Sequence, residues 1–237
     1  MPRVTSSGKT AIDTVMWVGW ADQDYFGARA LLLTGLVVQG AVLACTSIEK
    51  YLKAVCAISG IPCQNVGHDI SRLNGMLTKQ AIPQGLDVQF LRYLSKAYKL
   101  RYPNDLNPGF NIALNSISTL VQLDLTVSHI RQRFTFQKNG KTVSTKFDEA
   151  LKRGAQELVV KNCALGGISK AALFGEPSWS YDLRILEDGT VMEAAYAVER
   201  IVGDDEFCRH GLAPVEGSEG KSFNLAWLPK STAQTHE

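Results

Sequence analysis

Apolar positions recur at helical spacing through the first half of the chain and switch to alternation in the second. The run "AIDTVMWVGWADQDYFGARALLLTG" predicts a first helix that stops at Gly35, a residue suited to a helix C-terminus. Thr10 and Asp13 stand at capping-box spacing, so Thr10 is the expected N-cap. A second helix is predicted from Val37 to Ser59, where "SGIP" places Gly60 and Pro62 as breakers. A third starts near Asp69, an acid well placed at a positive helix end, with Ile70, Leu73 and Leu77 as its apolar stripe. A fourth runs from about Leu86 to Leu100 and stops before Pro103. A fifth is expected from about Phe110 to Ser128, with Leu114, Ile117, Val121 and Leu125 on one face. Helices joined by short connections predict a bundle.

The pattern then changes. In "RFTFQKNGKTVSTKF", Asn139-Gly140 is flanked by alternating residues, which predicts a β-hairpin. Phe134, Phe136, Val143, Thr145 and Phe147 would share one face. A helix is expected from about Asp148 to Cys163, weakened by Gly154. A second hairpin should turn at Asp188-Gly189, with Tyr181, Leu183, Ile185 and Met192 on one face. The fold class predicted is mostly α: an antiparallel bundle of about five helices with an appended smaller α+β region containing β-hairpins. Its expected divisions are a disordered tail over 1–9, the bundle over 10–130, the α+β region over 131–230 and a frayed tail over 231–237.

Composition narrows the class without naming a function. The 237 residues are 45% hydrophobic and 20% charged, with net charge +2. That balance does not by itself imply nucleic acid. No apolar run reaches the roughly 18 residues of a membrane span, and no apolar signal core follows the polar N-terminus, so a cytoplasmic setting is expected. The five cysteines include no C-x-x-C pair, and Cys45 and Cys56 fall on the apolar side of the second helix. The histidines show no metal-ligand spacing, "GGISK" lacks the closing G-K-[ST] of a P-loop, and no G-x-S-x-G occurs. Neither a metal nor a cofactor is expected.

Three stretches carry candidate chemistry. The second helix is apolar on more than one face yet holds Glu49, Lys50 and Lys53. Glu49 and Lys53 stand four residues apart in the favourable order for an ion pair, and Asp24 on the first helix offers a further partner. The alternatives are a phosphate-facing Lys50 or Lys53, or a catalytic lysine. Lys50 has no partner at three or four residues' spacing in its own helix. His68 precedes Asp69 at a helix start and reads either as a packed or capping residue or as a base. The fourth helix carries Arg92, Lys96 and Lys99 as one basic stripe, which is either a solvated face or a phosphate-contacting one. A basic stretch interleaved with Phe134 and Phe136, from Arg131 to Lys146, has the composition of single-strand nucleic-acid binders, but both Phe side chains are expected to point inward, which favours a structural reading.

Four pieces in order over about residues 10–128 resemble the HEPN domain family. "WADQDYFGARALLLTG" looks like its first helix and "SIEKYLKAVCAISG" resembles its second-helix signature. "GHDISRL" looks like the start of its third helix, and "FLRYLSKAYKLRYPND" is similar to the end of its fourth. The resemblance implies an antiparallel bundle that commonly dimerises, in proteins many of which are bacterial or archaeal. Some members are metal-independent ribonucleases, some sit in toxin–antitoxin pairs, and others bind nucleotides or partner proteins. The nuclease branch carries Arg, four to six residues, then His. No histidine of this chain has an Arg at that distance upstream; Arg200 and His210, the nearest case, have nine residues between them.

The reading is therefore a noncatalytic HEPN-type homodimer that binds a nucleotide or a nucleic-acid-related ligand such as RNA. Lys50, Lys53, Arg92, Lys96, Lys99 and Arg101 are the expected phosphate surface, with Tyr102 as a stacking face. His68, Asp24 and Glu49 are further candidates. One alternative is a structural or toxin–antitoxin-type module with a protein partner and the second helix as dimer seam. The other is an atypical metal-independent ribonuclease using His68 with Arg72 or Arg101.

Overall fold

The computed structural model describes residues 8–80, 85–138 and 140–201. The expectations for the chain's two tails, for Cys208, His210 and His236, and for the turn residue Asn139 fall wholly or largely outside these residues.

Two long helices, α1 (Lys9–Leu33) and α2 (Val37–Ile58), form an antiparallel hairpin. They approach closely at Gly40, where a Cβ would stand 2.7 Å from Leu32 Cγ. Ser47 donates to the Ala21 carbonyl at 3.0 Å, and Tyr51 donates to the Asp22 carboxylate at 2.5 Å. α1 starts upstream of its expected cap, after Gly8, so Thr10 lies inside the helix and caps nothing. Its carbonyl instead accepts from the Thr14 hydroxyl.

α2 is the interior helix. Ala41, Ala44, Ile48, Tyr51, Leu52, Ala54 and Cys56 are all fully buried, on more than one face. The neighbours are α1, α3 (Ile70–Lys79), α4 (Val88–Tyr98) and α5 (Ser116–Arg131). The apolar second helix is thus packed largely within its own chain. Ile12, Val15, Met16 and Trp20 of α1 are the large apolar side chains left exposed on the hairpin, apart from Leu36 in its turn. α3 is capped by Asp69, which accepts from the Arg72 amide, and α4 by Asp87, which accepts from Gln89 and Phe90.

The expected fifth helix divides. Asn111–Asn115 form strand β1, and α5 begins only at Ser116, where the Asn115 side chain accepts from the Ile117 and Ser118 amides. All five strand residues are buried, so periodicity alone could not separate strand from helix there. Leu125 is 42% exposed, outside the stripe expected for it. Pairing decided the matter: β1 runs antiparallel to β4 (Ser178–Ile185), which pairs in turn with β5 (Val191–Val198).

The later residues contain less regular structure than their alternation predicts. The first hairpin is reduced to β2 (Gln137–Lys138) and β3 (Lys141–Thr142). Phe147 belongs to α6 (Lys146–Lys152), which has a capping box between Thr145 and Asp148. The expected helix from Asp148 breaks at Gly154, whose φ is 63°. Two short helices follow, α7 (Gln156–Val159) and α8 (Lys170–Phe174). The second hairpin turns at Asp188-Gly189 as expected, but Met192 pairs with Arg184, so it lies on the face opposite Leu183 and Ile185.

Two buried polar clusters bind the later residues to the bundle. Arg29 and Asp124 form an ion pair with neither side chain exposed. Tyr25 donates to the same carboxylate at 2.7 Å, while the Arg29 guanidinium also donates to the carbonyls of Glu157 (2.9 Å) and Val160. Asp22 accepts from Tyr51, from Arg131 at 2.5 Å and from the Phe147 amide at 3.2 Å. One apolar core continues from Ala21 and Ile48 through Leu120 to Phe147, Leu158 and Leu183. The α+β part therefore shares the bundle's core.

Gly35 ends α1 with φ 82°, and a Cβ there would stand 2.5 Å from Trp179 Cδ1. Gly35→Ala should destabilise by about 2–3 kcal/mol, from left-handed backbone strain plus displacement of the indole. Urea unfolding with unchanged m-value would report it.

Asp182 is a second stability probe. It is 4% exposed, accepts from Tyr196 at 3.0 Å, and leaves Oδ1 without a partner. Burial raises its carboxyl from 3.8 to about 6, against the opposing Tyr196 bond. The folded state then holds a proton that the unfolded state has lost, so this group subtracts stability as pH rises from about 4 to about 6. Asp182→Asn should leave stability nearly unchanged at pH 3.5 and raise it by about 1–2 kcal/mol at pH 8, after discounting for partial solvent access. Thermal melts at the two pH values check the sign.

Candidate phosphate-binding groove

The basic stripe on α4 follows from its opposite face. Phe90, Leu91, Leu94 and Ala97 are buried, which turns Arg92 and Lys96 outward, and the 3-10 turn that follows adds Lys99. Across from it lies the start of α3, where burial of Ile70, Leu73 and Leu77 leaves His68, Asp69 and Ser71 on the near side. Between them is a groove of about 500 Å³, lined by Val66, His68, Asp69, Ser71, Arg92 and Ser95, together with Lys96, Tyr98 and Lys99.

Its electrostatics are one-sided. Among the described residues no carboxylate lies within ion-pair distance of Arg92, Lys96 or Lys99. Lys96 donates to Asn111 Oδ1 at 2.6 Å and stands 5.4 Å over the Phe110 ring. Burial, followed by the adjacent Lys99 charge, lowers its ammonium to about 8. Asp69 is the acid that lines the groove, and its carboxylate is engaged by the Arg72 amide. The Ser71 and Ser95 hydroxyls are buried and have no hydrogen-bond partner among the described residues.

The other candidates are held elsewhere. Lys50 pairs with Asp24 at 2.5 Å, and Thr46 donates to the same carboxylate at 2.9 Å. Lys53 pairs with Glu49 at 2.5 Å and stands 5.4 Å over the Trp17 ring. Neither lysine lines the groove, and both charges are already met. Glu49 also holds His68, whose Nδ1 lies 2.8 Å from Oε2. This fixes the imidazole against the groove wall while leaving its side chain 58% exposed. Arg101 contacts the hydroxyls of Tyr98 and Tyr102 and lies over both rings, at 4.8 and 5.2 Å. Arg101 and Tyr102 therefore form a stack outside the groove. The histidine ring packs on Tyr98 at 4.9 Å.

The groove thus gathers Arg92, Lys96, Lys99 and His68 and excludes Lys50, Lys53, Arg101 and Tyr102. Sequence reading missed Ser71 and Ser95. Ser95 sits beside the stripe and Ser71 two residues past a helix cap, but serine at such positions is ordinarily solvated and carries no distinguishing pattern. Arg131, read as part of a basic nucleic-acid strand, is internal: it binds Asp22 and lies 4.2 Å over Phe147. A second hollow of about 460 Å³ lies beside the β4–β5 turn, but Arg184, Glu187 and Asp188 give it mixed charge. No helix among the described residues is long and apolar enough to cross a membrane. Comparison with family models, curated proteins and solved structures gave no match to this chain.

Proposed function

We propose that this chain is a HEPN-type binding module whose α3–α4 groove holds a phosphate-bearing ligand, a nucleotide or a nucleic-acid-related molecule, in a homodimer. The observation that carries the ligand class is the convergence of Arg92, Lys96 and Lys99 with no paired carboxylate. Cations that have no acid of their own retain their full attraction for a phosphate. The four sequence pieces that resemble the family, and the antiparallel α1–α2 hairpin, support the family reading. Calorimetric titration with nucleotides and short RNA at several salt concentrations tests it. Saturable binding that weakens with salt supports the reading. An absence of binding to every phosphate-bearing probe rejects it.

A second reading, a protein-interaction module, draws on the exposed stripe of Ile12, Met16 and Trp20 on α1. Sedimentation of the wild type against Met16→Glu separates the two: a dimer lost in the variant while ligand binding persists assigns that stripe to assembly.

A further inference from the structure

This inference rests on the phosphate reading of the groove and narrows it. We infer that the groove recognises a single terminal phosphate, as in a phosphomonoester or inorganic phosphate, in preference to the diester backbone of a nucleic acid.

Three observations favour a compact anion. Three cations converge without an ion pair: Arg92, Lys96 and Lys99 line one groove, while Lys50 and Lys53 are neutralised by Asp24 and Glu49. A polymer backbone needs positive charge repeated along its track, whereas these three cations meet in a single groove. Base stacking is poorly served as well. Tyr98, the groove's aromatic side chain apart from His68, already packs against the His68 ring and the Arg101 guanidinium, and Tyr102 lies under the same arginine outside the groove. The groove instead offers donors. Ser71 and Ser95 each carry a hydroxyl with no partner, one from each wall. Near the α3 N-terminus, Ser71 also has an amide with no acceptor inside its own helix. A terminal phosphate presents three oxygens and up to two charges, so it can accept from several of these donors at once. A diester has only two unesterified oxygens and one charge. Both serine oxygens are shielded from solvent, so contact requires a local rearrangement of the groove around the ligand.

The test titrates the full chain with three probes: inorganic phosphate, adenosine 5′-monophosphate, and a ten-nucleotide RNA with hydroxyl groups at both ends. Phosphate and the mononucleotide are expected to compete with each other, and the RNA to bind at least about tenfold more weakly per site. Ser71→Ala/Ser95→Ala should weaken phosphate binding about tenfold with no loss of thermal stability, because the deleted hydroxyls have no partner in the ligand-free fold. Competition between phosphate and the mononucleotide also separates a phosphate requirement from a nucleoside requirement. RNA binding tighter than phosphate, with no competition between them, would overturn this inference and leave the broader reading standing. No binding of any probe would remove both. Phosphate binding unchanged in the double serine variant would sink the assignment of the hydroxyls and, with it, the donor argument for a terminal phosphate.

Discussion

Replacing Arg29 with leucine is expected to destabilise the protein by about 3–5 kcal/mol, the cost of leaving a buried charge without its partner. That is a large share of the roughly 5–15 kcal/mol by which a domain is stable. Arg29 does three jobs at once. It neutralises Asp124, and it satisfies the carbonyls of Glu157 and Val160, which follow α6 in the chain. Without it, Asp124 keeps only the Tyr25 hydroxyl. Burial already lifts the Asp124 carboxyl, and Arg29 opposes that lift. Removing the opposition makes the ionised form still less favourable, so the variant's deficit should be greater at pH 8 than at pH 5. Urea denaturation of Arg29→Leu at both pH values measures this. The companion Arg29→Leu/Asp124→Leu, with no charge left to strand, should recover much of the loss. Equal destabilisation by the single and double variants would contradict the account.

Reversing Lys96 and Lys99 to glutamate should abolish phosphate binding, with a loss exceeding about 100-fold, because each reversal replaces a charge-assisted donor by a repelling carboxylate. Lys96 is partly buried and bonded to Asn111, so Lys99→Glu alone provides a check that folding is intact. Lys96 also predicts a pH profile. Its ammonium titrates near 8 in the free protein, and a bound anion raises that value. For a mononucleotide, already largely a dianion at pH 7, affinity should therefore hold from pH 7 to about 8 and fall as pH rises above that. The groups facing Lys96 in the groove are Lys99 and Arg92 on its own side, His68 and Asp69 opposite. Lys96→Arg should remove the decline, since guanidinium stays charged. Calorimetry from pH 7 to 9.5 checks both variants.

The helices of the first half were legible because one face of each is buried at 3.6-residue period, and their stops are glycine and proline. Glu49–Lys53 was legible from spacing within one helix. Lys50 was not: its partner Asp24 belongs to another helix, and only the antiparallel packing of α1 on α2 brings them within 2.5 Å. Tyr102 failed for a local reason: the neighbouring Arg101 lies over its exposed ring, which spacing alone does not reveal. The Asn111–Asn115 segment failed for a different reason. Five consecutive buried residues satisfy a strand and a helix equally, and a β4 partner about 70 residues later made the choice.

The sequence by itself determined the helical class, the order and approximate ends of the first four helices, and the outward basic stripe of α4, since local periodicity and caps act over a few residues. The tertiary structure decided which charges remain available. Ion pairing depends on distances of a few ångströms between residues far apart in the chain, and those distances exist only once α1, α2 and the sheet have packed. Packing neutralised Lys50 and Arg131 through carboxylates on another helix, and it left Arg92, Lys96 and Lys99 without an ion pair beside His68, Ser71 and Ser95.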